Sequence, residues 1–205
     1  LSMVYDSGRG QIVSIFYNRQ DLRVWTGQGW SIWTAGQLPF NPYGILGYDP
    51  GRQRLVFFGD LQIPPSATIL RDQLYEFDGT TWQLIPTPTV PPTQVVWTHL
   101  EYVPWLGGLA LIPRDGWPGV VGPVWVWNGT NWNSVPVERE MFDGLMSGFG
   151  TRGRVTYDTA RGELQAFSSE GENFATGSFV WRLKSRTLRL SNHHPRLTER
   201  LAAEK

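Results

Sequence analysis

The sequence predicts an all-β chain made of four copies of one four-stranded unit, and three observations carry that expectation. A tyrosine-led motif recurs at Tyr5, Tyr48, Tyr102 and Tyr157. A second motif, an aromatic residue ahead of a turn and a tryptophan, follows it in three of the four units. The composition agrees: 23 glycines and 15 prolines punctuate short strands, 11 tryptophans supply bulk, and a helix-like pattern is confined to the C-terminus.

The first motif aligns without gaps. It reads Tyr5-Asp6-Ser7-Gly8-Arg9, Tyr48-Asp49-Pro50-Gly51-Arg52, Tyr102-Val103-Pro104-Trp105-Leu106 and Tyr157-Asp158-Thr159-Ala160-Arg161. The second reads Val24-Trp25-Thr26-Gly27-Gln28-Gly29-Trp30, then Glu76-Phe77-Asp78-Gly79-Thr80-Thr81-Trp82, then Val126-Trp127-Asn128-Gly129-Thr130-Asn131-Trp132. The fourth copy keeps Phe179-Val180-Trp181 and then diverges into Arg182-Leu183-Lys184, without the turn glycine or the second tryptophan. Unit one places strands near Leu1–Tyr5, Gln11–Tyr17, Leu22–Thr26 and Trp30–Thr34, with a short loop at Asn18–Asp21. A linker, Gly36–Pro42, leads to unit two, whose corresponding loop runs from Asp60 to Asp72 and contains Pro64-Pro65. The proline-rich linker Pro86–Thr93 favours extended backbone. Unit three carries the loop Arg114–Pro123. A linker with Met141, Phe142, Met146 and Phe149 enters unit four, which carries the loop Ser168–Gly177. Residues 191–205 suit a helical tail, with Pro195 at the first helical position and Leu197 and Leu201 on one face.

A period of roughly 40–55 residues with four strands per unit is the signature of a β-propeller blade. The blades are expected near 1–36, 43–86, 95–136 and 149–190. Tyr-Asp-x-x-Arg followed by Leu55-Val56-Phe57-Phe58-Gly59, with the aromatic–Asp/Asn–Gly–x–x–Trp ending, resembles bacterial-type Kelch repeats of the galactose-oxidase-like propeller superfamily. The resemblance covers roughly residues 1 to 190. It implies binding and scaffolding roles. The oxidase chemistry of that superfamily needs copper ligands and a cross-linked Cys–Tyr pair, and this chain has no cysteine.

The pairs Asp6/Arg9, Asp49/Arg52 and Asp158/Arg161 stand in the turn between first and second strands. An aspartate there accepts turn N–H groups, and the arginine clamps its carboxylate. Unit three has Val103 and Leu106, so both partners are lost together. Recurrence at equivalent places marks the pair as architecture rather than catalysis. Gly27, Gly79 and Gly129 are expected at positive φ in the hairpin turns. Trp25, Phe77, Trp127 and Trp181, with Trp30, Trp82 and Trp132, are expected between neighbouring units. Trp33, Trp97, Trp105, Trp117 and Trp125 have no counterpart in the repeat and are candidates for stacking on sugars or anchoring a protein.

Other chemistry is sparse. Only His99, His193 and His194 are present, in no metal-binding spacing, so no cofactor and no enzymatic activity are expected. Lys+Arg and Asp+Glu both number 18, which leaves no basic footprint for nucleic acid. No apolar run reaches the ~18 residues of a membrane span. The numbering shows no signal-peptide pattern, and a start at Leu1 inside a strand points to a part of a longer chain or complex.

The expectation is therefore a non-catalytic module that binds a protein partner through loops joining second to third strands. Ile63, Ile69, Trp117, Val120 and Phe174 are the apolar anchors, and Arg71, Arg114, Asp115, Glu170 and Glu172 supply charge of both signs. The alternatives are a lectin-like, carbohydrate-binding propeller and part of a larger glycan-active enzyme.

Overall fold

The computed structural model describes residues 2–91, 98–113, 123–135, 154–168 and 179–184. Among them the chain is all-β, with strands in four antiparallel sheets and short 3-10 turns at Thr34–Gly36 and Pro104–Leu106. The first sheet is β1 (Ser2–Asp6), β2 (Gln11–Ile15), β3 (Leu22–Trp25) and β4 (Trp30–Ile32). The second is β5 (Asn41–Asp49), β6 (Arg54–Gln62), β7 (Ile69–Phe77) and β8 (Trp82–Leu84). The third is β9 (Thr98–Val103), β10 (Gly108–Pro113), β11 (Val124–Trp127) and β12 (Trp132–Val135). The fourth shows three strands, β13 (Arg154–Asp158), β14 (Glu163–Ser168) and β15 (Phe179–Lys184). Within each sheet the strands lie in chain order. The expected helical tail at 191–205 lies outside the described residues.

The chain divides into two compact units: Leu1–Arg114 with Gly122–Val135, and Asp115–Val121 with Pro136–Lys205. The first holds sheets one to three and the second holds sheet four.

The first unit is organised by the strand run Leu55-Val56-Phe57-Phe58. Side chains alternate across a strand, so a continuous apolar run needs a cover on both faces. Leu55 and Phe57 point into a cluster with Val13, Ile15 and Leu22 of sheet one. Val56 and Phe58 point into a cluster with Leu100, Leu109, Leu111, Trp127 and Trp132 of sheet three. The stretch Gly36–Pro42, expected as a linker, contributes to this core: Leu38 and Phe40 are fully buried. The Phe40 ring lies 4.5 Å from Tyr75 and 4.9 Å from Phe57. Trp82 Nε1 donates to Gly36 O at 2.9 Å, fixing the same stretch to sheet two.

Register shows which aromatics are equivalent. Tyr5, Ile12, Trp25 and Trp30 form one cross-strand row in sheet one. Tyr48, Leu55, Phe77 and Trp82 form the same row in sheet two, and Tyr102, Leu109, Trp127 and Trp132 in sheet three. In sheet four Leu164 pairs with Leu183, not with Trp181, which stands opposite Ala166. The fourth copy is therefore shifted by two from the motif alignment: Trp181 holds the register place of Tyr75 and Trp125, and Trp125 does have counterparts. A shift of two keeps a residue on the same face, which is why the apolar pattern alone does not reveal it.

The aromatic rows of sheets two and three are covered by a neighbouring sheet, as expected. In sheet one, Trp25 is 38% and Trp30 43% exposed. They meet edge to face, ring centroids 5.6 Å apart.

Candidate interaction surface and the turn clasps

The three Asp–Arg turns share one geometry. Arg9 N donates to Asp6 Oδ1 at 3.0 Å, and the guanidinium reaches Oδ2 at 2.8 Å. Arg52 N donates to Asp49 Oδ1 at 3.1 Å and its Nε to Oδ2 at 2.8 Å. Arg161 N donates to Asp158 Oδ1 at 3.0 Å and its Nη1 to Oδ2 at 2.6 Å. In sheet three Pro104–Leu106 forms a 3-10 turn instead, ended by Gly107 at φ 75°.

The arginines also reach across sheets, which the sequence did not indicate. Arg9 Nη2 donates to Asp78 O at 2.8 Å, in the turn of sheet two. Arg52 lies against Gly129, in the turn of sheet three, where a Cβ would stand 2.8 Å from its Nε. Gly79 and Gly129 are thus needed twice, for φ of 108° and 97° and for this close approach. Arg52 also pairs with Glu76 at 2.7 Å, and Trp127 Nε1 donates to Glu76 at 2.8 Å. Burial works against the Arg52 charge, but hydrogen bonds to Asp49 and Glu76 outweigh it and hold its pKa above the usual value. Asp78 accepts from the Thr80 hydroxyl and from the Thr80 and Thr81 amides, which holds its carboxyl far below the ordinary range.

The expected binding loop Asp60–Asp72 is shorter than the sequence suggests. Strand β6 continues to Gln62 and β7 begins at Ile69, with a register shift between Gly59 and Leu61. Ile69 and Arg71 are strand residues, and the connecting tip is 63–68. Backbone pairing overrides the turn-rich composition because a hairpin satisfies its amides and carbonyls internally. The tip contains a cis bond between Pro64 and Pro65. Ile63, Ile69 and Leu70 are exposed there. Arg71 stands largely in solvent, 3.7 Å from Asp60.

The same end of sheets one and two carries residues the sequence reading missed. Tyr43 Oη donates to Asn18 Oδ1 at 2.9 Å, and Asn18 N donates to Pro42 O at 3.1 Å. These bonds bring the loop at 16–21 beside the hairpin, with an exposed Tyr17. Only these bonds, between residues 25 and 24 apart in the chain (43−18 and 42−18), reveal this adjacency, and short motifs carry no such signal. Arg114, Asp115, Trp117, Val120, Glu170, Glu172 and Phe174 lie outside the described residues.

Asp72 adopts φ 53°, a conformation asparagine tolerates equally well. Burial first, and then the Asp60 charge, push its carboxyl above 3.8, with Arg71 partly offsetting them. A carboxyl raised in the folded state costs stability wherever the unfolded chain is ionised, so the penalty is present above the unfolded value and vanishes below it. Asp72→Asn should therefore raise the thermal midpoint at pH 7 and leave it unchanged near pH 3. An unchanged or lower midpoint at pH 7 would contradict this assignment.

Of the tryptophans outside the two motifs, Trp33, Trp105 and Trp125 are half-buried. Trp33 packs edge-on against Phe77 at 5.1 Å with Arg9 over its ring. Trp97 and Trp117 lie outside the described residues. Among the described residues no group of three His, Asp or Glu side chains is placed to hold a metal ion, and no helix is long and apolar enough to cross a membrane. No protein-family model matches the chain, and no curated protein matches it.

Proposed function

We propose that this chain is a four-bladed, Kelch-like propeller that acts as a non-catalytic protein-binding module through its rim. Support for the architecture comes from the repeated sheets, each in chain order, and from three of them packing through two apolar clusters, one on each face of sheet two. The binding reading rests on one observation. The β6–β7 hairpin presents Ile63, Ile69 and Leu70 to solvent beside Asp60, Arg71 and Asp72. Apolar anchors flanked by charge of both signs suit a protein surface better than a polyanion or a flat membrane.

Carbohydrate binding gains less support, because Trp33 and Trp125 pack against the buried clusters instead of presenting a flat face. A glycan-active enzyme would need an acid–base pair, for which the described rim supplies the neighbouring carboxylates Asp60 and Asp72 alone.

The test is a folded triple variant, Ile63→Ser/Ile69→Ser/Leu70→Ser, compared with the wild type for recovery of cross-linked partners in the native host. A protein cross-linked to the wild-type rim should bind the variant at least about tenfold more weakly, with an unchanged melting temperature. Full retention of binding would refute the rim assignment, and selective retention of a sugar on a glycan array would favour the lectin reading.

A further inference from the structure

Thr26 of sheet one, Asp78 of sheet two and Asn128 of sheet three hold equivalent places in the turn between third and fourth strands, and a glycine follows each. Asp78 Oδ1 accepts from Thr80 N at 2.8 Å, Thr80 Oγ1 at 2.6 Å and Thr81 N at 2.9 Å. Asn128 Oδ1 accepts from Thr130 N at 2.9 Å, Thr130 Oγ1 at 2.8 Å and Asn131 N at 2.9 Å. Sheet three thus sets an amide among donors that, in sheet two, serve a carboxylate. All three bonds fall on the oxygen. Among the described residues Asn128 Nδ2 makes no hydrogen bond, and the residue is exposed.

Asn128 alone among the asparagines of the chain precedes a glycine. Glycine has no side chain to hinder attack by its own nitrogen on the side chain before it. The surroundings suit that attack. The donors on Oδ1 polarise Cγ and stand where negative charge would grow. Arg52 lies against Gly129, where a Cβ would stand 2.8 Å from its Nε, so a cation stands beside the attacking nitrogen and favours loss of its proton. Thr89 N donates to Asn131 Oδ1 at 3.1 Å and fixes the far end of the turn.

We propose that Asn128 is a self-modifying site that converts to aspartate with water as the only co-reactant. Gly129 N, having lost its proton to hydroxide, bonds to Cγ. The Cγ–Nδ2 bond breaks, and Nδ2 takes a proton from water and leaves as ammonia. Water then adds to Cγ of the succinimide ring and breaks the bond from Cγ to Gly129 N. The ordinary backbone is restored, with a carboxylate at position 128. Ring opening at the backbone carbonyl would instead insert a methylene into the main chain and break the bond from Asn128 N to Asn131 O. The three donors favour the first product, because a charged acceptor strengthens each bond. Asp78 shows how the product would sit: there the same donors hold a carboxyl ionised far below the ordinary range. That ionisation also keeps Asp78 inert, since a carboxylate is a poor electrophile. The conversion is one-way and adds a negative charge beside Arg52 to a chain of formal charge zero.

The folded full chain, held in warm, mildly alkaline buffer, should gain the mass of an amide exchanged for an acid, located at Asn128 by peptide mapping. Aspartate should be the main product, with isoaspartate, read by an isoaspartyl methyltransferase, the minor one. Asp78 should yield no isoaspartate. Thr130→Val removes one donor from Oδ1 and should slow the conversion about fivefold, whereas Thr130→Ser keeps the hydroxyl and the wild-type rate. Should the valine variant not fold, the wild-type chain in urea decides: it should give mainly isoaspartate where the folded chain gives aspartate. No conversion of the folded chain while the chain in urea converts fully would overturn the site. Equal isoaspartate shares from the two, or an unchanged or faster reaction in folded Thr130→Val, would remove the donors from the chemistry and overturn the proposal.

Discussion

Replacing Trp127 with alanine should lower the unfolding free energy by about 3–5 kcal/mol, the range for a large aromatic removed from a packed core. Trp127 is fully buried against sheet two, with its ring 5.7 Å from Trp132. Its Nε1–H also serves Glu76, so the loss is polar as well as apolar. Trp127→Phe separates the two contributions. It retains most of the apolar contact but removes a donor from a buried carboxylate, at a cost of about 1–3 kcal/mol. Measured against Glu76→Gln alone, which itself loses the Arg52 ion pair, Trp127→Phe should cost much less, since a neutral amide tolerates a missing donor better than a carboxylate. Urea midpoints at constant slope measure all three. A loss below about 1 kcal/mol for Trp127→Ala would mean that Trp127 does not sit in a close-packed core.

Arg52→Ala should be the most damaging of the clasp substitutions, at about 2–3 kcal/mol. Arg52 is shared by two carboxylates, Asp49 and Glu76, both mostly buried, whereas Arg9 serves one carboxylate and one carbonyl. Removing the cation leaves two like charges facing each other, and partial solvent access to the guanidinium keeps the loss below that of a fully buried pair. Asp49→Ala should cost about 1–3 kcal/mol by orphaning the Arg52 amide and side chain. Their pairing predicts a non-additive double mutant, with a coupling of about 0.5–3 kcal/mol in thermal or urea melts. Additive single effects would show that the ion pair is incidental to stability.

The local chemistry of the clasp is legible in the sequence. Asp-x-x-Arg spans one turn, so the aspartate can reach the arginine amide and side chain without help from distant residues, and the structure has that geometry in all three copies. The Asp-Gly and Asn-Gly turns are legible for the same reason, since a short side chain satisfying amides two and three residues ahead is a local event. The destination of each arginine is not legible. Whether Arg52 meets Gly129 depends on how one sheet lies on the next, and no spacing within a motif encodes that.

The candidate rim divides in the same way. Pro64-Pro65 and the polar residues around it announce a connection, but not where the strands end. The β6–β7 ladder continues past Gly59 because each additional backbone pair satisfies groups that water would otherwise have to serve, and that places Ile69 and Arg71 in a strand. Leu38 and Phe40 likewise flank Pro39 in a stretch that scans as linker, and become core because sheets one and two leave an apolar gap there.

By itself the sequence determined the all-β class, the repeat and the positions of the Asp-x-x-Arg and hairpin turns. These follow from alternation and from turn chemistry acting over a few residues. Tertiary structure alone decided which face of each sheet finds a cover. It therefore separates Trp127, sealed in the core, from Trp25, which holds the same place in the repeat and stands open. The physical reason is that burial belongs to a pair of surfaces, and a sequence motif specifies only one of them.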